Sequence, residues 1–356
     1  MKKIIGNKLA FPTFRWIKVN KTEISIPELK KIDYPIESNG TMGEMPFKNQ
    51  VYGVSEDALT FLKEYNNLYR RYETKEGEEV SYPPLYLKTD DVYTQLQDCH
   101  DIIAEKDSKI RVVLDYYSTG TVEKFRNTLI RILAKENADV ELFIIQKENH
   151  SSYSLESIVI ETEENATCHV RQYHLGSKKL YTNYQCDLIG DGSSSYLNSI
   201  YFGDCDDELN LLYNMIHHGE KTESDIIVHG ALKDRATKNF KSNLEFKEGA
   251  KEAIGSEEED IILLDDDVHS VSVPLMLCHE DNVVGNHAAS CGKIDPEVLF
   301  YITSRGIDIE EAEALIIESK FAHAIDTLHN KELEEEVWEG VRKIIKEGEL
   351  CLTADK

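Results

Sequence analysis

From Ile110 onward the chain sets down one short apolar run after another, and this texture limits the possible folds more than any other feature. The runs are Val112–Leu114, Val140–Ile145, Ser157–Ile160, Ser199–Phe202, Ile226–Val228, Asn243–Phe246, Ile261–Leu264 and Val271–Leu277. They are β-branched or alternating, and clusters of Gly, Asp, Asn and Ser such as Gly190–Ser195 and Gly203–Asp207 separate them. Side chains of the first kind fit a pleated surface, and residues of the second kind form turns. After Ala138, roughly 150 residues contain almost no helical period. Many short strands of this sort predict a sandwich, a barrel or a solenoidal β-helix, and periodicity does not choose among them. No crisp internal repeat is visible, which weakly disfavours a regular solenoid.

The flanks read differently. In Glu56–Arg71 the residues Leu59, Leu62, Tyr65 and Leu68–Tyr69 recur at helical spacing, and Pro83–Pro84 forbids a helix beyond the charged stretch Glu73–Glu79. Helices are also expected over Val92–Lys106 and over Val122–Ala138, where Phe125, Leu129, Ile130 and Leu133 would share a face. From Asp295 the helical signals are well punctuated. Asp295 caps a helix beginning at Pro296, Gly306 ends it, and Asp308 caps the next with Glu310 and Glu311 near its positive end. Ile309, Ala312, Ile316, Phe321, Ala324, Ile325 and Leu328 supply its apolar face, and Val337, Trp338, Val341 and Ile345 mark a last helix over Leu333–Ile345. The expected division is therefore a mixed, partly helical region 1–109, a β core 110–293 and a small helical domain 294–356.

With 41% hydrophobic and 30% charged residues the chain can bury a core. Its net charge of −26 repels phosphate backbones and anionic lipid, so nucleic acid and membrane are not expected partners. Gly6, Asn7, Lys8 and Pro12 interrupt the N-terminal apolar residues, and no apolar run approaches the ~20 residues that cross a bilayer. The seven cysteines (Cys99, Cys168, Cys186, Cys205, Cys278, Cys291 and Cys351) are scattered and form no C-x-x-C pair. They read as reduced thiols of a cytoplasmic protein, with disulfides unexpected.

Metal ligation is the chemistry to consider first, because Cys278, His279, His287 and Cys291 fall close together. If Gly285–Gly292 is extended, His287 and Cys291 share a face, but a rise of ~3.3 Å per residue separates their Cα atoms by about 13 Å. One ion cannot bridge that gap unless the backbone bends. On spacing alone, His287 reads as a hydrogen-bonded strand histidine and Cys291 as a small core residue. The acidic clusters Asp204–Glu208, Glu257–Asp260 and Asp265–Asp267 lack calcium-loop spacing and read as solvated turns. The pairs His217–His218 and Cys168–His169 would point to opposite faces of a strand. G-x-S-x-G, Walker A and G-x-G-x-x-G motifs are absent, so a nucleotide would have to be bound by a partner.

The segment from Asp260 to Gly306 adds a resemblance. Lys233-Asp234-Arg235-Ala236, Ile261-Ile262-Leu263-Leu264-Asp265, Val273-Pro274, Gly285-Asn286-His287-Ala288-Ala289, Gly292-Lys293-Ile294-Asp295 and Leu299-Phe300-Tyr301-Ile302-Thr303-Ser304-Arg305-Gly306-Ile307 together resemble the SufB/SufD family of iron–sulfur cluster assembly proteins. The resemblance implies a right-handed parallel β-helix core with a C-terminal helical domain. It also implies a scaffold that pairs through the β-helix, as a homodimer or with a SufB-like partner. The helices after Asp295 would bind a SufC-type ABC ATPase. A transient iron–sulfur cluster would be built from iron and a sulfur donor and passed to apo-proteins, with this chain breaking no bonds of its own. His287 matches a histidine of the SufD branch implicated in cluster formation. The SufB branch carries a functional cysteine in an "FYC" motif, and Ile302 stands in that place here, which favours a SufD-like or undifferentiated member. Cys291, and with it Cys278, are candidate substitute ligands of iron or of the cluster beside His287, shared with a second subunit. The alternatives from other classes are a metal-dependent enzyme on a β-rich scaffold using His279, His287 and Cys291, and a carbohydrate-active β-helix using its aspartates.

Overall fold

The computed structural model describes residues 2–13, 16, 18–48 and 51–347; Met1 and Cys351 lie outside them. Two parallel sheets, stacked face to face, carry the chain. Strands β3 (Leu68–Glu73), β6 (Gln95–Ala104), β8 (Lys124–Ala134), β10 (Ser152–Thr162), β12 (Lys179–Leu188), β14 (Glu208–His217), β16 (Thr237–Phe246) and β18 (His269–Cys278) form the first. The second runs from β4 (Glu79–Ser81) through β7 (Lys109–Ser118), β9 (Asp139–Lys147), β11 (Thr167–Leu175), β13 (Ser194–Gly203), β15 (Glu223–Leu232) and β17 (Ile254–Leu263) to β19 (Val284–Lys293), with β5 (Leu85–Thr89) also on β7. From β5 onward the chain alternates between the sheets at every step, so each pair of strands is one coil of a parallel β-solenoid. This is the β-helix among the three expected β architectures.

Alternate residues of each strand point into the lumen. Ile130, Ile158, Tyr184, Leu211 and Phe240 from the first sheet meet Val112, Leu142, Val170, Leu197 and Ile226 from the second in one continuous buried core. Each such side chain stabilises the fold by about 2 kcal/mol. The coils turn at residues with positive φ, among them Asp107, Asn137, Asn165 and Gly192. The amide of each donates to the carbonyl of the next coil, as in Asn137 N to Glu164 O at 2.9 Å and Gly192 N to Glu220 O at 2.8 Å. Asn, Asp and Gly tolerate that left-handed backbone.

Two expected helices are strands. Val92–Lys106 contains β6 and Val122–Ala138 contains β8, because both faces of these strands are covered. Inside, β8 lays Ile130 and Ile132 into the lumen; outside, Phe125, Leu129 and Leu133 pack under the N-terminal elements. A strand buried on both faces carries apolar residues on each, and in β8 Phe125, Leu129, Ile130 and Leu133 fit a helical template by accident. The covering elements are the antiparallel pair β1 (Lys2–Gly6) and β2 (Thr22–Ile26), together with α1 (Glu56–Tyr65). Parallel pairing starts at Leu68, so coils are already forming ahead of residue 110.

The C-terminal helices stand where their signals place them. They are α2 (Pro296–Thr303), α3 (Ile309–Asp326) and α4 (Lys331–Glu347). Asp295 accepts from Glu297 N and Asp308 from Glu311 N, both at 2.8 Å, and Gly306 adopts φ +90°. Phe321, Ile325, Val337 and Val341 pack on Phe143, Tyr173, Ile200 and Phe202 of the second sheet's outer face. Among the described residues no helix is long and apolar enough to cross a membrane.

Candidate functional site

The solenoid ends in an open coil. β18 and β19 each have a neighbour on one side only, so both present an unpaired strand edge, and all ten residues of β19 are exposed. Register sets the direction of their side chains. β17 buries Gly255, Glu257, Glu259 and Ile261 toward the lumen, and these pair with Gly285, His287, Ala289 and Cys291 of β19. His287 and Cys291 therefore face inward at the mouth of the lumen, stacked over Glu257 and Ile261. Cys278 pairs with Phe246, a core residue, and faces the same opening from the other sheet.

β19 runs unbroken from Val284 to Lys293, so the extended spacing between His287 and Cys291 stands. Among the described residues, Cys278, His287 and Cys291 do not bring three ligand atoms within 4.8 Å of one another. His279 lies outside this mouth, in the loop after β18, with Nε2 at 3.5 Å from Glu245. Ile302, in α2, is half-buried. The adjacent pairs do point to opposite faces: His169 stacks outward on Tyr196 at 5.0 Å while Cys168 is buried in the core.

One coil below the mouth lies a set of charged groups that the sequence reading missed. Glu257 and Glu259 are 3% and 1% exposed, which corrects the expectation that Glu257–Asp260 is a solvated turn. Lys238 Nζ donates to Glu259 Oε1 at 2.7 Å and to Ser272 Oγ at 2.9 Å, and Ser242 Oγ donates to Glu257 Oε1. The second oxygen of each carboxylate has no partner. Tyr201 reaches Glu259 with its hydroxyl at 3.5 Å, and Gly230 leaves it room: a Cβ there would sit 2.2 Å from the Tyr201 ring. The signal was present as the alternation Gly255-x-Glu257-x-Glu259-x-Ile261, which has strand period and no turn former inside it.

Burial pushes the Glu257 carboxyl up to about 7, with the Ser242 hydrogen bond opposing and the Glu259 charge adding. Between its ordinary 4.5 and that value the folded protein holds more protons than the unfolded chain, so this group lowers stability as pH rises and its full cost is present above about 7. Glu257→Gln is accordingly expected to unfold at higher urea than the parent at pH 8, by about 2 kcal/mol, and to match it near pH 4. A difference independent of pH would show that desolvation of this carboxylate is not its source.

The motif Lys233-Asp234-Arg235 builds a coil corner. Asp234 has φ +56°, its amide donates to Asp265 Oδ2 at 2.7 Å, and Arg235 holds Asp206 at 2.7 and 2.9 Å. At the next corner His150, Asp204 and Cys205 bring their ligand atoms within 4.8 Å of one another, and among the described residues they are the only such set. Asp204 and Asp207 are buried here, again unlike a solvated turn. Cys205 is disulfide-bonded, against the expectation of reduced thiols throughout; Cys99, Cys168, Cys186, Cys278 and Cys291 are free. Scattered cysteines carry no pairing information until the fold places them.

Comparison with known proteins identifies a family. Residues 86–320 match the family model described as SUF system FeS cluster assembly, SufBD core domain. The chain is 34% identical over 142 residues to the iron–sulfur cluster assembly protein SufD of Bacillus subtilis, covering 40% of this chain and 32% of that protein. To an iron–sulfur cluster assembly SufBD family protein of Staphylococcus saprophyticus it is 28% identical over 220 residues, covering 61% of this chain and 47% of that one. It thus spans about half the length, or less, of these curated relatives. With two thirds of its residues inside the family model, the chain belongs to the SufB/SufD family of iron–sulfur cluster assembly proteins.

Proposed function

We propose that this chain is a scaffold subunit on which a transient iron–sulfur cluster is built at the mouth of the solenoid and from which it is passed on. The observation that carries the proposal is the open last coil. Its imidazole at His287 and thiols at Cys278 and Cys291 face a lumen that, among the described residues, no further coil covers. Thiolate and imidazole suit iron and its clusters. Their separation within one chain calls for ligands from a second subunit, and the unpaired edges of β18 and β19 offer that subunit a place to continue both sheets. A second copy of this chain or a SufB-like subunit would fill it.

The ATP-hydrolysing partner is proposed to dock on the C-terminal helices. Val298, Phe300 and Tyr301 of α2 and Ile309 and Leu315 of α3 are exposed, and exposed apolar side chains on neighbouring helices suit a docking surface. The expected result is that tagged chain, purified without oxygen, retains a SufC-type ATPase and that the complex takes up iron and sulfide. His287→Ala is expected to leave the circular dichroism spectrum unchanged, since the side chain is exposed, and to lower the visible absorbance of the reconstituted cluster at least several-fold. An unchanged absorbance would remove His287 from the site, and a chain that never retains the ATPase would sink the scaffold reading.

A further inference from the structure

The first sheet carries a cavity of about 700 Å³ on the face turned away from the lumen, beneath β1 and the start of α1. Its floor is a row of carboxamides. Gln185 of β12, Asn214 of β14 and Asn243 of β16 are register partners across three adjacent strands, and Asn183 precedes Gln185 on the same face. All four side chains belong to residues less than a tenth exposed. At Asn243, which is 0% exposed, neither Oδ1 nor Nδ2 has a partner, and at Asn183 Oδ1 has none. Buried carboxamides are normally satisfied by the protein around them, so two unsatisfied ones lining one cavity point to a ligand that supplies the missing bonds.

Charge narrows the choice of ligand. Three of the four amide nitrogens are already engaged: Asn183 Nδ2 donates to Asn7 Oδ1 at 3.4 Å, Gln185 Nε2 to Asp187 Oδ2 at 2.8 Å and Asn214 Nδ2 to the Tyr184 carbonyl at 3.4 Å. The floor therefore offers mainly acceptor oxygens, which disfavours phosphate and carboxylate. A cation is disfavoured as well. Lys241, 0% exposed, stands two residues before Asn243 on the same face; its ammonium donates to Asn7 O at 2.9 Å and Thr22 Oγ1 at 3.2 Å, with no carboxylate partner among the described residues. At the rim, the exposed Lys3 and Lys8 are offset by Glu56 and Asp57. What fits is a neutral molecule rich in hydroxyl donors. Neighbouring strands lie ~4.8 Å apart, so the carboxamide row repeats at about the separation of alternate equatorial hydroxyls on a pyranose ring. Tyr52, Leu212 and Ile216 on the walls suit the C–H faces of such a ring.

We infer that this cavity is a binding site for a neutral pyranose sugar, held through its hydroxyls by Asn183, Gln185, Asn214 and Asn243. The sugar hydroxyls donate to the carboxamide oxygens, and Asn243 Nδ2 donates to a hydroxyl oxygen. The site lies across the first sheet from the lumen, so it stands or falls independently of cluster assembly at the mouth.

Ligand-observed NMR on the full chain tests this with methyl β-D-glucopyranoside, whose ring hydroxyls are all equatorial. Saturation is expected to pass from the protein to the glucoside protons, and an equal concentration of inorganic phosphate should not displace the glucoside. Asn243→Leu is expected to weaken binding about ten-fold or more while raising the urea midpoint, because it removes an unpartnered buried amide. Asn214→Ala, in the middle of the row, should weaken binding by a similar factor, so a folding failure in Asn243→Leu does not shield the inference. Absence of saturation transfer in the parent protein overturns the assignment, and so does transfer that persists undiminished in both variants. Displacement by phosphate would reveal an anion site and overturn the neutral ligand.

Discussion

Arg126→Leu is expected to cost about 3–5 kcal/mol in urea unfolding at pH 8, the largest loss of any single replacement considered for this protein. Arg126 is 1% exposed and sits inside the lumen in the early coils. Its guanidinium donates to both oxygens of Glu148 at 3.1–3.2 Å, to Glu156 Oε2 at 3.2 Å and to Thr128 Oγ1 at 3.0 Å, and lies 4.2 Å from the Tyr116 ring. Burial opposes its charge, but the two carboxylates outweigh burial and hold it charged. Removing it leaves Glu148 and Glu156 buried without their cation, which is where the cost arises. Adding Glu148→Gln and Glu156→Gln to Arg126→Leu is expected to restore more than half of the stability. A loss under about 1 kcal/mol at pH 8 would mean that the lumen admits water freely at this level.

Lys238→Met should cost about 3 kcal/mol, because it strands Glu259 one coil below the mouth. The pair is almost wholly buried, at 0% and 1% side-chain exposure, and Glu259 already has one oxygen without a partner. Glu259→Leu alone strands the ammonium instead and should cost a similar amount. The double replacement is expected to recover most of both losses, since an apolar pair of similar volume avoids desolvating two charges. If the double variant is as unstable as the sum of the singles, the two side chains are not coupled, and the contact at 2.7 Å contributes nothing to the fold. The same double variant separates stability from function: a folded but inactive scaffold would place this ion pair in the work of the mouth.

Much of the architecture was legible in the residues. The short β-branched runs required a strand-rich body, and Asp295, Pro296, Gly306 and Asp308 marked two helix boundaries that the structure reproduces. The coil repeat was not legible, because what recurs is a position in the turn, filled by Asp107, Asn137, Asn165, Gly192 or Lys221 in turn, and not a residue type. Periodicity misread β8 because its two faces are covered by different partners, and Phe125, Leu129 and Leu133 of one face fall at helical spacing with Ile130 of the other.

The candidate site divides in the same way. His287 and Cys291 could be named from the sequence, and strand spacing alone showed that one ion cannot join them. The burial of Glu257 and Glu259 could not, because a run of acidic residues reads as solvated until a register sets two of them inward against Lys238 and Ser242. Nor could the corner of His150, Asp204 and Cys205, in which His150 lies more than fifty positions from the other two and meets them only because coils stack. The sequence by itself determined local conformation, through side-chain branching, capping and turn chemistry, which act over a few residues. Only the tertiary structure decided which side chains meet and which lose water, because those depend on register between coils some thirty residues apart, and it left the last coil open.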